Sequence, residues 1–289
     1  MYSPLRHYSA YAKINLGLRI LGRREDGYHE LETIFQEISV RDVLTIAVQQ
    51  SGITIGCSDP AIPVDERNLA WRAAALLQKS AGVELGCNIQ IKKNIPTGAG
   101  LGGGSSDAAA TLKALNREWE LDWPLERLQP LAAELGSDVP FFLRGGCALG
   151  RGRGELLQPL TLPQGWWGVL VWPNLMISTR WVYENTNFDL TKSLKNSKFY
   201  SLTSFADSLS DWDLYLVNDL EPVVFNTYPH LKKLVDGFKR AGAFYAHMSG
   251  SGSAVFGLFL DKSDALSALA GTESSYTTFL FHPVAGSAF

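Results

Sequence analysis

The stretch IPTGAGLGGGSSDAA, residues 95–109, decides how the rest of this sequence is read. Five glycines fall within the seven positions 98–104, followed by Ser105, Ser106 and a run of alanines. Glycine loses more backbone freedom on ordering than any other residue. It is kept where φ must be positive or where something approaches the backbone closely. Beyond the glycines, Ala108, Thr111, Leu112, Leu115 and Trp119 recur on one helical face, so the loop opens a helix. Ser105 or Ser106 is expected to cap that helix, and Asp107 to complement its positive end. A glycine loop running into a helix N-terminus offers free N–H groups to an anion. The loop therefore reads as a phosphate cradle.

Two phosphate-loop patterns fit only in part. Gly98, Gly100 and Gly103 satisfy G-x-G-x-x-G, but the strand before them alternates and Pro96 intervenes. No acidic residue stands on a following strand at the ribose position, so the dinucleotide reading fails. The Walker A pattern requires lysine where Gly104 stands. Phosphate must then be held mainly by backbone N–H groups and the helix dipole.

Upstream of the loop, residues 14–20 (INLGLRI) alternate and read as a strand; Asp26-Gly27 gives a hairpin turn into ELETIFQEISV. DVLTIAV and GITIGC read as two further short strands. Residues 68–81 take helical period, with Asn68 a candidate cap and Gly82 a suitable C′ residue. CNIQIKK returns to alternation. Downstream, PLAAELG at 130–136 reads as a short helix with Pro130 at N1. GVLVW is a strand, DLYLVNDLEPVVF and HLKKLVDGFKRAG are helices, and AFYAHM and AVFGLFL are strands split by SGSGS. DALSALAG and YTTFLF close the chain as helix and strand. Residues 187–213 are polar, rich in Ser and Lys and without period, and read as a surface segment.

The whole is an α+β chain of 289 residues, enough for two lobes. Charged residues make up 19%, the net charge is −3, and no Lys/Arg stripe forms, which excludes a nucleic-acid partner. The apolar run WWGVLVW at 166–172 is far too short for a membrane span, and the first residues show no signal-peptide pattern. Cys57, Cys87 and Cys147 have no metal-ligand spacing and read as reduced thiols of a cytoplasmic protein.

The segment PTGAGLGGGSS, residues 96–106, resembles the P-x-x-x-G-L-G-S/G-S-S motif of the GHMP kinases. AYAKINLGLRILGRREDGYHELETIF (10–35), LGSDVPFFLRGG (135–146), NDLEPVV (218–224) and MSGSGSAVF (248–256) resemble, in order, motifs of one branch of that superfamily. That branch phosphorylates the 2-hydroxyl of a cytidine-diphosphate-linked methylerythritol in the non-mevalonate route to isoprenoids. The resemblance implies a two-lobed fold: an N-terminal ATP-binding domain over 1–155 and a C-terminal α+β domain of ferredoxin-like type over 156–289. It implies ATP as phosphoryl donor, Mg²⁺ with it, and a small-molecule acceptor carrying a cytidine diphosphate. Neither the metal ligands nor the oligomeric state has a signature here.

By pattern alone Lys13 reads as a solvent-facing strand residue, and Asp138, before Val139-Pro140, as a helix cap. The resemblance makes Lys13 the active-site lysine and Asp138 the general base. It assigns Pro96, Thr97, Gly98, Ala99, Gly100, Leu101, Gly102, Gly103, Gly104, Ser105 and Ser106 to ATP, with Asn68 bordering the adenine pocket. Asn15, Tyr28, His29, Phe35, Thr179 and Tyr183 are assigned to the cytidine acceptor, Tyr28 and Tyr183 as two faces around the base. The SGSGS turn with Gly250 and Gly252 is placed beside the glycine loop.

Overall fold

The computed structural model describes residues 6–186, 209 and 212–286. Alternation carries the first two strands much further than expected. Strands β1 (Arg6–Arg23) and β2 (His29–Gln49) form one long antiparallel hairpin. Its turn is the expected one: Gly27 has φ 84°, and the Asp26 carboxylate accepts from the Tyr28 N–H. The separate strands read on either side of Arg41-Asp42 are one strand. Tyr11 pairs with Arg41 while Ala12 pairs with Ile38, so Ser39 and Val40 are extra residues on β2. A bulge absorbs the break in alternation that reads as a strand end.

The first sheet is completed by β3 (Ile53–Cys57), β4 (Gly86–Lys92), β5 (Cys147–Gly152) and β6 (Leu156–Pro159), in the order β3-β4-β2-β5-β6 with β1 on β2. Only β3 and β4 run parallel. Strand β6, just beyond the expected boundary at 155, is hydrogen-bonded into this first sheet. Helices α1 (Leu69–Ala81), α2 (Gly103–Glu118), α3 (Leu125–Leu135) and α4 (Val139–Arg144) cover one face of it. Both ends of α1 are as read. Asn68 accepts from the Ala70 N–H, and Gly82 closes the helix at φ 66°. Helix α3 begins five residues before Pro130, which stands inside it. Pro130 and Glu126, whose carbonyl loses its partner there, are both on the exposed side.

The second lobe contains β7 (Trp167–Trp172), α5 (Thr179–Asn185), α6 (Trp212–Tyr215), α7 (Glu221–Thr227), α8 (Pro229–Arg240), β8 (Tyr245–Met248), β9 (Val255–Phe259), α9 (Lys262–Ala270) and β10 (Thr277–Phe281). Its antiparallel sheet has the order β10-β7-β9-β8. That order, with helices after the first and third strands, is the ferredoxin-like β-α-β-β-α-β arrangement. The single helix read over 213–225 is two. Between α6 and α7, Val217 and Asp219 exchange backbone hydrogen bonds with Leu18 of β1, and Pro222 suits a helix start. Most of the polar segment 187–213 lies outside the described residues.

Period 2 explains how the lobes join. On β7, Leu170 faces β1 and β2 while Val169 and Val171 face α7 and α8. On β9, Phe256 and Leu258 face the first sheet and Val255 and Phe259 face the helices. Ile14, Leu16, Ile34 and Ile38 meet Leu170, Phe256, Trp166, Trp212 and Phe281 in a core between the two sheets. Each such side chain, fully buried, contributes about 1.5–3 kcal/mol.

Candidate active site

Because Ile14 and Leu16 point into that core, Lys13 and Asn15 point to the opposite face of β1. That face is covered, so Lys13 is 5% exposed and not the solvent-facing residue its pattern indicates. Its Nζ donates to Asn15 Oδ1 (2.6 Å) and to the Gly100 carbonyl (3.0 Å), and lies 5.4 Å from the centre of the Phe35 ring. Asn15 in turn donates to Thr33 Oγ1 (2.8 Å). Burial pulls the Lys13 pKa below the usual lysine value, and the Asp138 carboxylate works against that shift.

Asp138 Oδ2 lies 3.7 Å from Lys13 Nζ. Asp138 occupies the N-cap position of α4, yet its side chain makes no capping hydrogen bond. The carboxylate is one-third exposed and opens on the cleft. An uncommitted carboxylate beside a buried ammonium is suited to accept a proton from a hydroxyl that enters between them.

The glycine loop passes over this pair. Gly98, Gly100 and Gly102 have φ of 66°, 79° and 69°. A Cβ on Gly102 would stand 2.7 Å from the Phe142 ring and 3.3 Å from Lys13 Cε. One on Gly100 would stand 2.2 Å from the Ser249 carbonyl oxygen. Positive φ and close approach thus both hold at these positions. Helix α2 begins at Gly103, earlier than the expected serine cap, and no side chain caps it. Its first-turn N–H groups are left for a ligand. Ser106 lies inside the helix and donates to the Tyr11 carbonyl (2.6 Å). Asp107 turns inward to Lys93 (3.0 Å) and does not face the helix end. Burial raises its pKa, against the pull of the Lys93 ammonium. Asn68 spends both ends of its amide locally, on Ala70 N–H and the Pro63 carbonyl.

A cleft of about 1090 Å³ runs from the loop to the hairpin turn. Lys13, Asn15, Phe35, Gly100, Gly102 and Asp138 line it, together with Tyr28, His29, Thr179 and Tyr183. The remaining loop positions and Asn68 are outside its lining. Helix α5, capped by Ser178, places Thr179 and Tyr183 four residues apart, on one face. Tyr183 stacks on His29, with ring centres 5.2 Å apart and planes 19° apart. Tyr28 stands at the rim, 55% exposed, with the Arg153 guanidinium 4.8 Å above its ring. The rings thus pair Tyr183 with His29 rather than with Tyr28. Burial and the Arg23 charge hold the His29 pKa down, which favours neutral imidazole.

Residues 68–146 match the GHMP kinase N-terminal domain and residues 201–274 the GHMP kinase C-terminal domain. The 4-diphosphocytidyl-2-C-methyl-D-erythritol kinase of Chloroherpeton thalassium is 44% identical over 277 residues, covering 94% of this chain and 95% of that protein. The enzyme of the same name from Chlorobium phaeobacteroides is 45% identical over 271 residues, 90% of this chain and 92% of its own. The chain belongs to the GHMP kinases, in the 4-diphosphocytidyl-2-C-methyl-D-erythritol kinase family. A crystal structure of 4-(cytidine 5'-diphospho)-2C-methyl-D-erythritol kinase superposes with a TM-score of 0.81 at 35% identity, over 98% of this chain and 100% of that one. Homoserine kinase from Cytophaga hutchinsonii shares the fold, with a TM-score of 0.78 at 18% identity over 98% and 95% of the two chains.

As a GHMP kinase the protein uses ATP. Its cleft also contains residues that sequence reading missed. Arg23, Arg153 and Arg180 line it as well. Only the short glycine spacing of GRGRG hinted at this region: Gly150 and Gly154 leave room for the Phe35 ring, which a Cβ on Gly150 would meet at 2.7 Å. The SGSGS turn reaches further than expected. Ser249 donates to the Gly100 carbonyl (3.0 Å), and Ser251 bonds the Thr179 hydroxyl (2.9 Å). It therefore touches both the glycine loop and the start of α5.

Proposed function

We propose that this kinase transfers the γ-phosphate of ATP, taken as its Mg²⁺ complex, to the 2-hydroxyl of 4-diphosphocytidyl-2-C-methyl-D-erythritol, a step of the non-mevalonate isoprenoid route. The observation that carries the reading is the placement of Lys13 and Asp138, 3.7 Å apart, between an uncapped helix behind a glycine loop and an aromatic rim. In this reading Asp138 takes the proton of the acceptor hydroxyl as it attacks in line. Lys13, held by Asn15 and the Gly100 carbonyl, fixes the carboxylate and favours ionised oxygen beside it. The first-turn amides of α2 and the backbone of the loop hold the phosphates of ATP. His29 and Tyr183 take the cytosine, and the guanidinium groups of Arg23 and Arg153 attract the acceptor's diphosphate. The attacking hydroxyl is tertiary and hindered, so positioning supplies much of the acceleration. Three unpaired cysteines suit a cytoplasmic enzyme.

The test is ADP release with four acceptors: the full cytidine substrate, its uridine analogue, methylerythritol phosphate and homoserine. The cytidine substrate is expected to have the highest kcat/KM, because binding energy at the nucleotide end orients the distant hydroxyl. Equal turnover of homoserine or methylerythritol phosphate would leave only the superfamily assignment standing.

A further inference from the structure

The motif NDLEPVV, residues 218–224, contributes no side chain to the cleft lining, yet its first residue lies directly behind the cleft. Asn218 is 4% exposed and sits between β1 and the SGSGS turn. Its backbone neighbours are fixed to β1: Leu18 N–H donates to the Val217 carbonyl (2.9 Å) and Asp219 N–H to the Leu18 carbonyl (2.9 Å). Its side chain is fully used. Nδ2 donates to the carbonyls of Met248 (2.9 Å) and Gly250 (2.8 Å), and Oδ1 accepts from Leu220 N–H (3.0 Å).

The carbonyls it holds are at the end of β8 and in the turn that walls the reacting pair. Gly250 has φ 57°, and a Cβ there would lie 2.9 Å from Asn15 Oδ1 and 3.8 Å from Lys13 Nζ. Ser249 Oγ accepts from the Asn15 N–H (3.3 Å) while donating to the Gly100 carbonyl. The segment 217–219 thus joins β1 through its backbone and the turn through the Asn218 amide, and through the turn the lysine and the glycine loop. Two carbonyls pointing at the same buried spot need a double donor with no net charge, which is what an amide supplies.

We propose that Asn218 is a positioning residue for phosphoryl transfer: by holding the Met248 and Gly250 carbonyls it sets the 249–253 turn against Lys13 and Asn15. The inference rests on Lys13 and Asp138 being the reacting pair. Loss of both donors leaves two buried carbonyls unpaired, and the turn then moves away from the lysine. Misplacement by about 1 Å near a reacting group costs roughly ten- to a hundredfold in rate.

Two variants test it. Asn218→Leu keeps the branched four-atom outline, at a larger volume, and removes both donors. It is expected to lower kcat roughly ten- to a hundredfold, with cooperative unfolding retained and the calorimetric ATP affinity close to wild type. Asn218→Asp keeps the Oδ1 acceptor, and when protonated its O–H restores one donor. Burial against two carbonyls raises that carboxyl's pKa, as do the carboxylates of Asp219 (bonded to Ile20 N–H) and Glu221; the cations His247, Lys13 and Arg19 oppose the shift, and burial sets its direction. The kcat of Asn218→Asp, divided by wild type at the same pH, is therefore expected to rise as pH falls from about 8 to about 6. A purely structural defect would not follow that proton. A folded Asn218→Leu enzyme with wild-type kcat overturns the proposal, as does an Asn218→Asp ratio that is flat with pH. The aspartate variant decides the matter if the leucine variant does not fold. Lys13→Met is run beside them. If it retains activity, the reacting-pair reading fails; if it is dead while Asn218→Leu is normal, only the role of Asn218 falls.

Discussion

Lys13 Nζ and Asp138 Oδ2 stand 3.7 Å apart, one from the middle of β1 and the other from the start of α4, with the lysine buried and the carboxylate open to the cleft. Asp138→Asn keeps the shape and loses the carboxylate that is proposed to take the proton. Its kcat is expected to fall about a hundredfold or more, with ATP affinity retained. Lys13→Met should behave similarly. Since burial lowers the Lys13 pKa, the ammonium is lost earlier than in a free lysine as pH rises. The alkaline limb of the kcat/KM profile should therefore fall below the ordinary lysine value. Near-normal turnover in either folded variant would remove the pair from the chemistry.

The glycine loop permits a steric probe that leaves the fold alone. Gly104 is exposed, and a Cβ there meets only Leu69 Cδ1, at 3.7 Å. Gly104→Val should unfold at a temperature close to wild type, since valine costs a helix less than glycine does. If phosphate lies against the first turn of α2, the same variant should weaken ATP binding about tenfold or more, which is 1.4 kcal/mol or more. Gly103→Val is a poorer probe, because its Cβ would meet Lys93 Nζ at 2.9 Å and Ile95 at 3.1 Å and disturb packing. Calorimetric titration with ATP decides, and unchanged affinity in Gly104→Val means that the phosphates lie elsewhere.

Local signals in the sequence were reliable where the structure is itself local. Asn68 and Gly82 mark both ends of α1, and Asp26-Gly27 marks the turn between β1 and β2, because caps and turns are made by residues close in the chain. Features that depend on distant partners were not legible. The continuity of β2 through Arg41 is fixed by pairing with Tyr11, and the break between α6 and α7 by pairing with Leu18. Alternation told which face of β1 carries Lys13 but not that Phe35, the loop and the SGSGS turn cover that face. The serines of the loop read as caps because their type favours that role. Their position one turn too late follows from the glycine at 102 taking φ 69°.

His247 provides a pH test of the second lobe. Its ring bonds Glu221 Oε1 through Nδ1 (3.0 Å) and Asp213 Oδ1 through Nε2 (3.2 Å). Burial alone would lower its pKa, but the two carboxylates outweigh burial and raise it. The imidazolium therefore stabilises the fold below the unfolded histidine pKa of about 6.5, and that contribution disappears as pH rises through the higher folded value. Asp213 is held down to about 2, first by His247 and then by Lys239, so its part is lost only in strong acid. Thermal melts from about pH 5.5 to about pH 8.5 should show wild type above His247→Gln at the acid end, with the gap closing toward the alkaline end. A gap that does not vary with pH would mean that the histidine is neutral in the fold.

The aromatic rim decides whether the acceptor's base is held by stacking. Tyr183 and His29 lie with ring centres 5.2 Å apart, close to parallel, so one face of Tyr183 is already taken and a base must use the other or part the two rings. Either way the ring's flat surface matters more than its hydroxyl. Tyr183→Ala should lower kcat/KM for the cytidine substrate by about 1–3 kcal/mol, the range for one base on one aromatic side chain. In rate terms this is roughly 5- to 150-fold. Tyr183→Phe should retain nearly all of the activity, and KM for ATP should stay unchanged in both variants, because Tyr183 stacks on His29 of the hairpin and makes no contact with the glycine loop in the hydrogen bonds and ring pairs of this site. Arg153→Met tests the neighbouring charge. Its guanidinium sits 4.8 Å over Tyr28, and its loss should raise KM for the diphosphate-bearing acceptor and reduce the salt dependence of that KM. Steady-state kinetics with each substrate varied at two ionic strengths separates the effects. If Tyr183→Ala and Tyr183→Phe are indistinguishable with the cytidine acceptor, the base does not rest on this ring.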